Sequence, residues 1–138
     1  MVSHSFTLDR MRVNIYNTPE ALGVAAAADF AGILQEAIAA EGRVSVLLAT
    51  GNSQLPFIHA LRHIAGIEWP KVTIFHMDEY IGIAASHHGS LRYFLREKLI
   101  DTRHPGTFHA IAGDAPDPEA EMARYGDLLR AHRPAVCV

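Results

Sequence analysis

Val44-Ser45-Val46-Leu47-Leu48-Ala49 runs directly into Thr50-Gly51-Asn52-Ser53. The first six residues are almost continuously apolar, which is how a strand covered on both faces reads, as in a parallel sheet. The next four read as a loop that opens a helix expected over residues 55–65. Upstream, residues 12–16 read as a short strand. Thr18-Pro19-Glu20 then starts a helix, with a threonine N-cap, proline at the first helical position and an acid in the first turn. Leu22, Ala26, Phe30, Ile33, Leu34, Ala37 and Ile38 keep a helical period, and Gly42 ends it. Downstream, residues 71–76 (KVTIFH) form a second apolar strand that ends in Met77-Asp78-Glu79-Tyr80. A loop over 82–89 leads to a helix over 90–99, then a short strand over 107–111. Asp117-Pro118-Glu119 caps a helix that reaches His132, Pro134 stops it, and residues 135–138 begin another strand. Strand and helix alternate throughout. The expectation is an α/β fold with a doubly wound, mostly parallel, Rossmann-like sheet and right-handed crossovers.

The chain has 138 residues, of which 49% are hydrophobic and 20% charged. That is globular composition, and such a length can bury roughly two thirds of the surface exposed by the unfolded chain. One α/β domain over residues 1–138 is expected. The net charge of −3 offers no basic surface for nucleic acid or for a lipid headgroup layer. A single cysteine, Cys137, excludes an internal disulfide and fits a reducing compartment. The start Met1-Val2-Ser3-His4 lacks the features of a signal peptide. The Ala-rich segment near residue 25 is interrupted by Asp29, Gln35 and Glu36, so no membrane span is expected. The cytoplasm is the expected location.

In open α/β sheets, ligands sit beyond the C-terminal strand ends. Two such ends carry distinctive residues. At the first, Gly51 lets backbone approach a ligand closely, and the hydroxyls and free N–H groups of Thr50, Asn52 and Ser53 suit an anion. A plain strand-to-helix turn with Ser53 as N-cap fits the same residues. The loop has neither the GK[ST] ending of a Walker loop nor the GxGxxG spacing of a dinucleotide site. At the second end, Asp78 and Glu79 are adjacent carboxylates after an apolar strand, a costly placement without partners or a task. Asp78 is a candidate general base for a proton on carbon. It equally fits as the cap of the next turn, with Glu79 left in solvent. Nine histidines raise a metal reading. His59 and His63 are one helical turn apart and His87-His88 is a pair. No glutamate completes a zinc-protease motif and no Cys or acidic cluster completes a site, so no metal is expected.

Three segments together resemble the glucosamine-6-phosphate deaminase family, within the larger group that includes 6-phosphogluconolactonase. They are LLATGNSQLPFIHAL (residues 47–61), VTIFHMDEYIGI (72–83) and HHGSLRYFLREKLI (87–100), with a weaker match in GDAPDPEAEMARY (113–125). Lactonases of the group resemble the pattern with an arginine where Tyr80 stands, so Tyr80 favours the deaminases. The resemblance implies a doubly wound sheet and the conversion of glucosamine 6-phosphate and water to fructose 6-phosphate and ammonia, with no cofactor. It implies Asp78 as the group that shuttles a proton between C2 and C1 of the open-chain sugar. It implies the loop of Thr50, Gly51, Asn52 and Ser53 as the receiver of the phosphate. Glu79 and Tyr80 are expected to shape the site, with Tyr80 near the sugar. The loop departs from the Gly-Gly-Thr-Pro or Gly-Ser-Thr-Pro that many members carry.

The family pattern continues past Val138 with ring-opening residues and basic phosphate clamps. The resemblance therefore implies that these residues are an N-terminal portion, catalytically incomplete alone. The strand at 135–138 would then lack a neighbour and favour self-association. His76, just before Asp78, is the histidine nearest to serve as a substitute acid or base. A small sugar phosphate is the expected partner, and a homo-oligomer the expected assembly. Two other readings fit the scaffold: a sugar-lactone-phosphate hydrolase, and a sugar-phosphate sensor that binds without turnover.

Overall fold

The computed structural model describes residues 2–138. Two antiparallel strands, β1 (Val2–Leu8) and β2 (Met11–Tyr16), open the chain as a hairpin. Helix α1 (Pro19–Glu41) follows, then β3 (Val44–Leu48), a 3₁₀ turn at Asn52–Gln54 and α2 (Leu55–Leu61). A further 3₁₀ turn at Trp69–Lys71 leads into β4 (Val72–His76). Helix α3 (Leu91–Leu95) continues as a π turn over Arg96–Ile100 and a last turn, α4 (Asp101–Arg103). Strand β5 (Thr107–His109), helix α5 (Pro118–His132) and strand β6 (Val136–Cys137) complete the chain.

Four strands form one parallel sheet in the order β5-β4-β3-β6. The expected α/β architecture is therefore present. The strand at 12–16 is the exception: β2 pairs only with β1, in a separate two-stranded sheet. Val44, Val46 and Leu48 of β3 alternate with half-buried Ser45 and Leu47. The buried set joins Val72 and Ile74 of β4 against Phe30, Leu34 and Ile38 of α1, Ile58 and Leu61 of α2, and Leu95 and Leu99 beyond. Each such side chain is worth about 1.5–3 kcal/mol relative to exposure. Phe75 points to the other face and meets the rings of Tyr125 and His132 on α5, at 5.7 and 5.3 Å. Helices thus cover both faces of the sheet.

The capping signals act as read. Thr18 Oγ1 accepts from Ala21 N at 3.1 Å, and Gly42 closes α1 in the left-handed region at φ 76°. Asp117 Oδ1 accepts from the amides of Glu119 and Ala120 at 3.0 and 3.1 Å. Three expectations are corrected. Ser53 makes no capping bond; Gly51 and Gln54 hold the two cap positions. Helix α2 stops at Leu61, short of residue 65, and the Arg103 guanidinium donates to the freed carbonyls of Arg62 and Ile64. The helix at 90–99 is not a plain α-helix, because the π turn brings Leu95 and Ile100, five residues apart, to the same core.

Helix α1 is also long and apolar enough, by length and composition, to cross a bilayer, contrary to the expectation from its interrupting polar residues. Its Ala27, Phe30, Leu34 and Ile38 are buried in the core shared with the sheet and α2, while Leu22, Val24 and Ile33 are exposed.

Candidate functional site

Strand register brings the two distinctive strand ends together. Leu48 pairs with His76 at the tops of β3 and β4, and Met77 N donates to Leu48 O at 3.0 Å, one residue further. Thr50 and Asp78 each stand two residues beyond that pair, on neighbouring strands that lie about 4.8 Å apart. Strand order also reverses beside β3, between β3 and β6, so the Gly51 loop borders that switch point and Asp78 stands one strand away from it. The chain steps from β3 to β4 to β5, then jumps across to β6 on the far side of β3. Such a reversal opens the crevice where α/β sheets bind ligands.

Gly51 adopts φ 99°, ψ 177°, and an added Cβ would meet nothing within 4 Å. Its requirement for glycine is therefore conformational rather than a matter of space. Asn52 and Ser53 are exposed on the first turn that follows, and Ser53 also borders a shallow groove with Asn17, Thr18 and Leu22. Asp78 is exposed. Among the described residues its carboxylate has no hydrogen-bond or ion-pair partner, so it is unengaged at the crevice. Tyr80 is exposed next to it.

Glu79 behaves in the opposite way, and the plain reading that leaves it in solvent is overturned. Its side chain is fully buried. It accepts from Ser90 Oγ at 2.6 Å, from Leu91 N at 2.9 Å, from Arg92 N at 3.1 Å and from Tyr80 N at 3.0 Å. Glu79 is thus a cap donated across the loop to the N-terminus of α3, where a carboxylate also suits the helix dipole. Burial pushes its carboxyl upward, but these hydrogen bonds outweigh burial and leave it below the usual carboxylate range. Ser90 caps the same helix by accepting from Tyr93 N at 3.3 Å. This is why Asp-Glu-Tyr and Ser-x-x-x-Phe occur together: the first motif completes the helix start of the second.

His76 is sealed from solvent, so it is not an acid or base for a ligand in the crevice. Its Nε2 accepts from Ile111 N at 2.8 Å, which puts the ring proton of the neutral form on Nδ1. Burial holds its pKa below the ordinary value, against the nearby charges of Glu79 and Asp78. The backbone of His76 is fixed as well. Tyr125 Oη accepts from His76 N at 2.9 Å and donates to His76 O at 2.7 Å, in the position a neighbouring strand would take. Burial pushes that phenol up to about 12, so it stays a donor.

The short segment after β5 ties these parts into a frame that sequence reasoning missed. Ile111 N binds His76 of β4, as above. Ala112 N donates to Glu121 Oε1 of α5 at 2.7 Å. Gly113 O accepts from Gly82 N of the loop after Asp78 at 2.6 Å. Asp114 Oδ1 accepts from Arg92 Nη2 of α3 at 2.6 Å. Four successive residues are thus held by four different parts of the fold. Gly113 is required by contact, since a Cβ there would lie 2.2 Å from Tyr80 O. The available signal was the stretch GDAPDPEAEMARY, in which Glu121 and Tyr125 share a helix face one turn apart.

Comparisons with known proteins give the family and the fold. The family model described as glucosamine-6-phosphate isomerases/6-phosphogluconolactonase matches residues 17–137. The chain belongs to this family. It is 35% identical over 98 residues to a glucosamine-6-phosphate deaminase of an Exiguobacterium species, covering 71% of this chain and 38% of that protein. It is 36% identical over 105 residues to glucosamine-6-phosphate deaminase 2 of Bacillus subtilis, covering 72% and 42%. The chain thus spans about two fifths of the length of these relatives. Among solved structures, it is similar to a 6-phosphogluconolactonase of Shewanella baltica with a TM-score of 0.73 and 28% identity, over 83% of this chain and 48% of that one. A monomeric glucosamine-6-phosphate deaminase shares the fold at a TM-score of 0.77 and 21% identity, over 86% and 50%.

Proposed function

We propose that the protein acts on an amino sugar phosphate, as part of a reaction that converts glucosamine 6-phosphate and water to fructose 6-phosphate and ammonia. The observation that carries this reading is the unengaged Asp78 carboxylate on the strand end next to the Gly51 loop, whose own strand β3 borders the reversal of strand order. Asp78 takes the proton from C2 of the open-chain sugar and returns it at C1. That transfer turns the C2 amine into an imine, which water hydrolyses to the ketone with loss of ammonia. Thr50, Gly51, Asn52 and Ser53 receive the 6-phosphate through N–H groups and hydroxyls, and Tyr80 lies against the sugar. Glu79 shapes the site from behind by fixing the backbone on which Asp78 sits. The names of the relatives at 35% and 36% identity support the same substrate class.

The experiment is a substrate panel with the purified protein and its Asp78→Asn variant. Because the resemblance implies that residues 1–138 are catalytically incomplete alone, ammonia release from glucosamine 6-phosphate is expected of the full-length protein, and its variant should fold normally yet lose about a hundredfold to ten-thousandfold in rate. Near-normal turnover by the variant removes Asp78 from its role. Acid release from 6-phosphogluconolactone with no ammonia release would favour the hydrolase reading, which the similarity to the Shewanella baltica lactonase supports. Tight binding of the sugar phosphate with neither product would favour a sensor.

A further inference from the structure

Arg92 is a buried cation on the first turn of α3. Its Nη2 donates to Asp114 Oδ1 at 2.6 Å and to Ile83 O at 2.8 Å. Its Nε lies 3.6 Å from Glu79 Oε2, beyond hydrogen-bond length, and has no other partner. One guanidinium therefore sits between two carboxylates and a loop carbonyl, and these acceptors come from three separate stretches of chain. Glu79 directly follows Asp78. Ile83 ends the turn that leaves the site, and Asp114 belongs to the crosspiece that Gly82 also joins through Gly113 O at 2.6 Å.

We propose that Arg92 is the positioning residue of the site: it fixes the backbone of residues 78–83, and with it the direction of the Asp78 carboxylate. The anchoring has three points. Upstream, Met77 N is bonded to Leu48 O. At the centre, the Glu79 carboxylate is pinned to α3. Downstream, the Ile83 carbonyl and the Gly82–Gly113 pair close the turn. Arg92 takes part in the last two, through its backbone N–H to Glu79 and through Nη2 to Ile83 O and Asp114 Oδ1. Nη2 supplies both bonds while Nε faces Glu79 at 3.6 Å, and the rigid planar head fixes these positions relative to one another, which a lysine ammonium on a flexible stem does not. Asp78 has no partner of its own, so its aim depends on the backbone alone. A displacement of about 1 Å at a reacting group costs on the order of a hundredfold in rate.

The kinetic consequence rests on the proposed deaminase reading, but the mechanical one does not, and the test separates them. Arg92→Lys and Asp114→Asn are compared with wild type by amide hydrogen exchange and by steady-state kinetics on glucosamine 6-phosphate. Exchange at Gly82, Gly113 and Leu91 is expected to speed up at least about tenfold, with the amides of β3 and the start of β4 unchanged. Where wild type turns over, kcat per folded molecule is expected to fall about tenfold or more and KM to move less than about threefold, because the phosphate loop on β3 is untouched. Unchanged exchange in both variants overturns the proposal, whether or not wild type is active. Local loosening with wild-type kcat overturns the positioning of Asp78. Local loosening in a protein that releases no ammonia upholds the anchoring role and counts against the functional reading instead. Uniform loosening across the sheet, with kcat and KM both unchanged per folded molecule, reduces Arg92 to a support of the fold and also overturns the proposal.

Discussion

Asp78 and Glu79 are neighbours with opposite fates, in the loop just past the end of β4, and the difference comes from the donors that each side chain meets. The buried one takes four donors and becomes structural. The exposed one takes none and is left for a ligand. Glu79→Gln tests this division. The amide keeps one acceptor oxygen but puts N–H groups against the donors from Ser90 and Arg92, a loss of about 1.5–3 kcal/mol for bonds to a charged group. The pH dependence has a definite sign. A carboxyl held below its unfolded value stabilises the fold above that value, 4.5 for Glu, and the contribution disappears as pH falls through the lowered folded value. The gap in melting temperature between wild type and Glu79→Gln should be full at neutral pH and shrink as pH falls below 4.5. A gap that stays constant over that range would remove the charge from the explanation.

At the scale of elements, α1 and α2 come into close backbone contact. A Cβ on Gly23 would lie 2.4 Å from the backbone carbon of Pro56, and backbone cannot turn aside as a side chain can. Gly32, on the same helix, faces open space. The two glycines therefore respond oppositely to alanine. Gly23→Ala should cost about 1–3 kcal/mol by prying the helices apart. Gly32→Ala should gain about 0.5–1 kcal/mol from helix propensity. Denaturant midpoints with unchanged slopes would report both, and destabilisation of equal size at the two positions would contradict the packing argument. The sequence reveals the helix but not this contact, because periodicity reports which face is apolar and says nothing of how near a neighbour comes. The same limit applies at the site. The apolar runs of β3 and β4, the Thr18, Gly42 and Asp117 caps and the two strand ends were legible, since each is written in consecutive residues. The Glu79–Ser90 cap, the Tyr125 plug and the Arg92–Asp114 pair join residues 11, 49 and 22 positions apart, and no local pattern encodes such meetings.

Taken as a whole, the molecule is unevenly held together. The parallel sheet has helices on both faces and a continuous core, whereas the hairpin of β1 and β2 stands largely outside it. Register explains what the hairpin offers. Leu8 opposes Met11, Phe6 opposes Val13 and His4 opposes Ile15 on one face, with Ser5 against Asn14 and Thr7 against Arg12 on the other. The strands thus carry the alternation of a half-buried sheet, which is why residues 12–16 read as a strand. Yet Leu8 and Met11 are each 58% exposed, so this apolar face contributes little burial. An isolated two-stranded hairpin is at best marginally stable in water. The hairpin should therefore open locally at far lower free energy than the sheet unfolds. Native-state amide exchange is expected to be at least about a hundredfold faster for β1 and β2 than for Val46 and Ile74, which sit at the centre of the core. Met11→Lys should then change global stability by less than about 0.5 kcal/mol, as at an exposed position. If the hairpin amides were protected as well as those of the sheet, and Met11→Lys cost several times that amount, the apolar face would have to be covered in solution, and the hairpin would be part of the cooperative core.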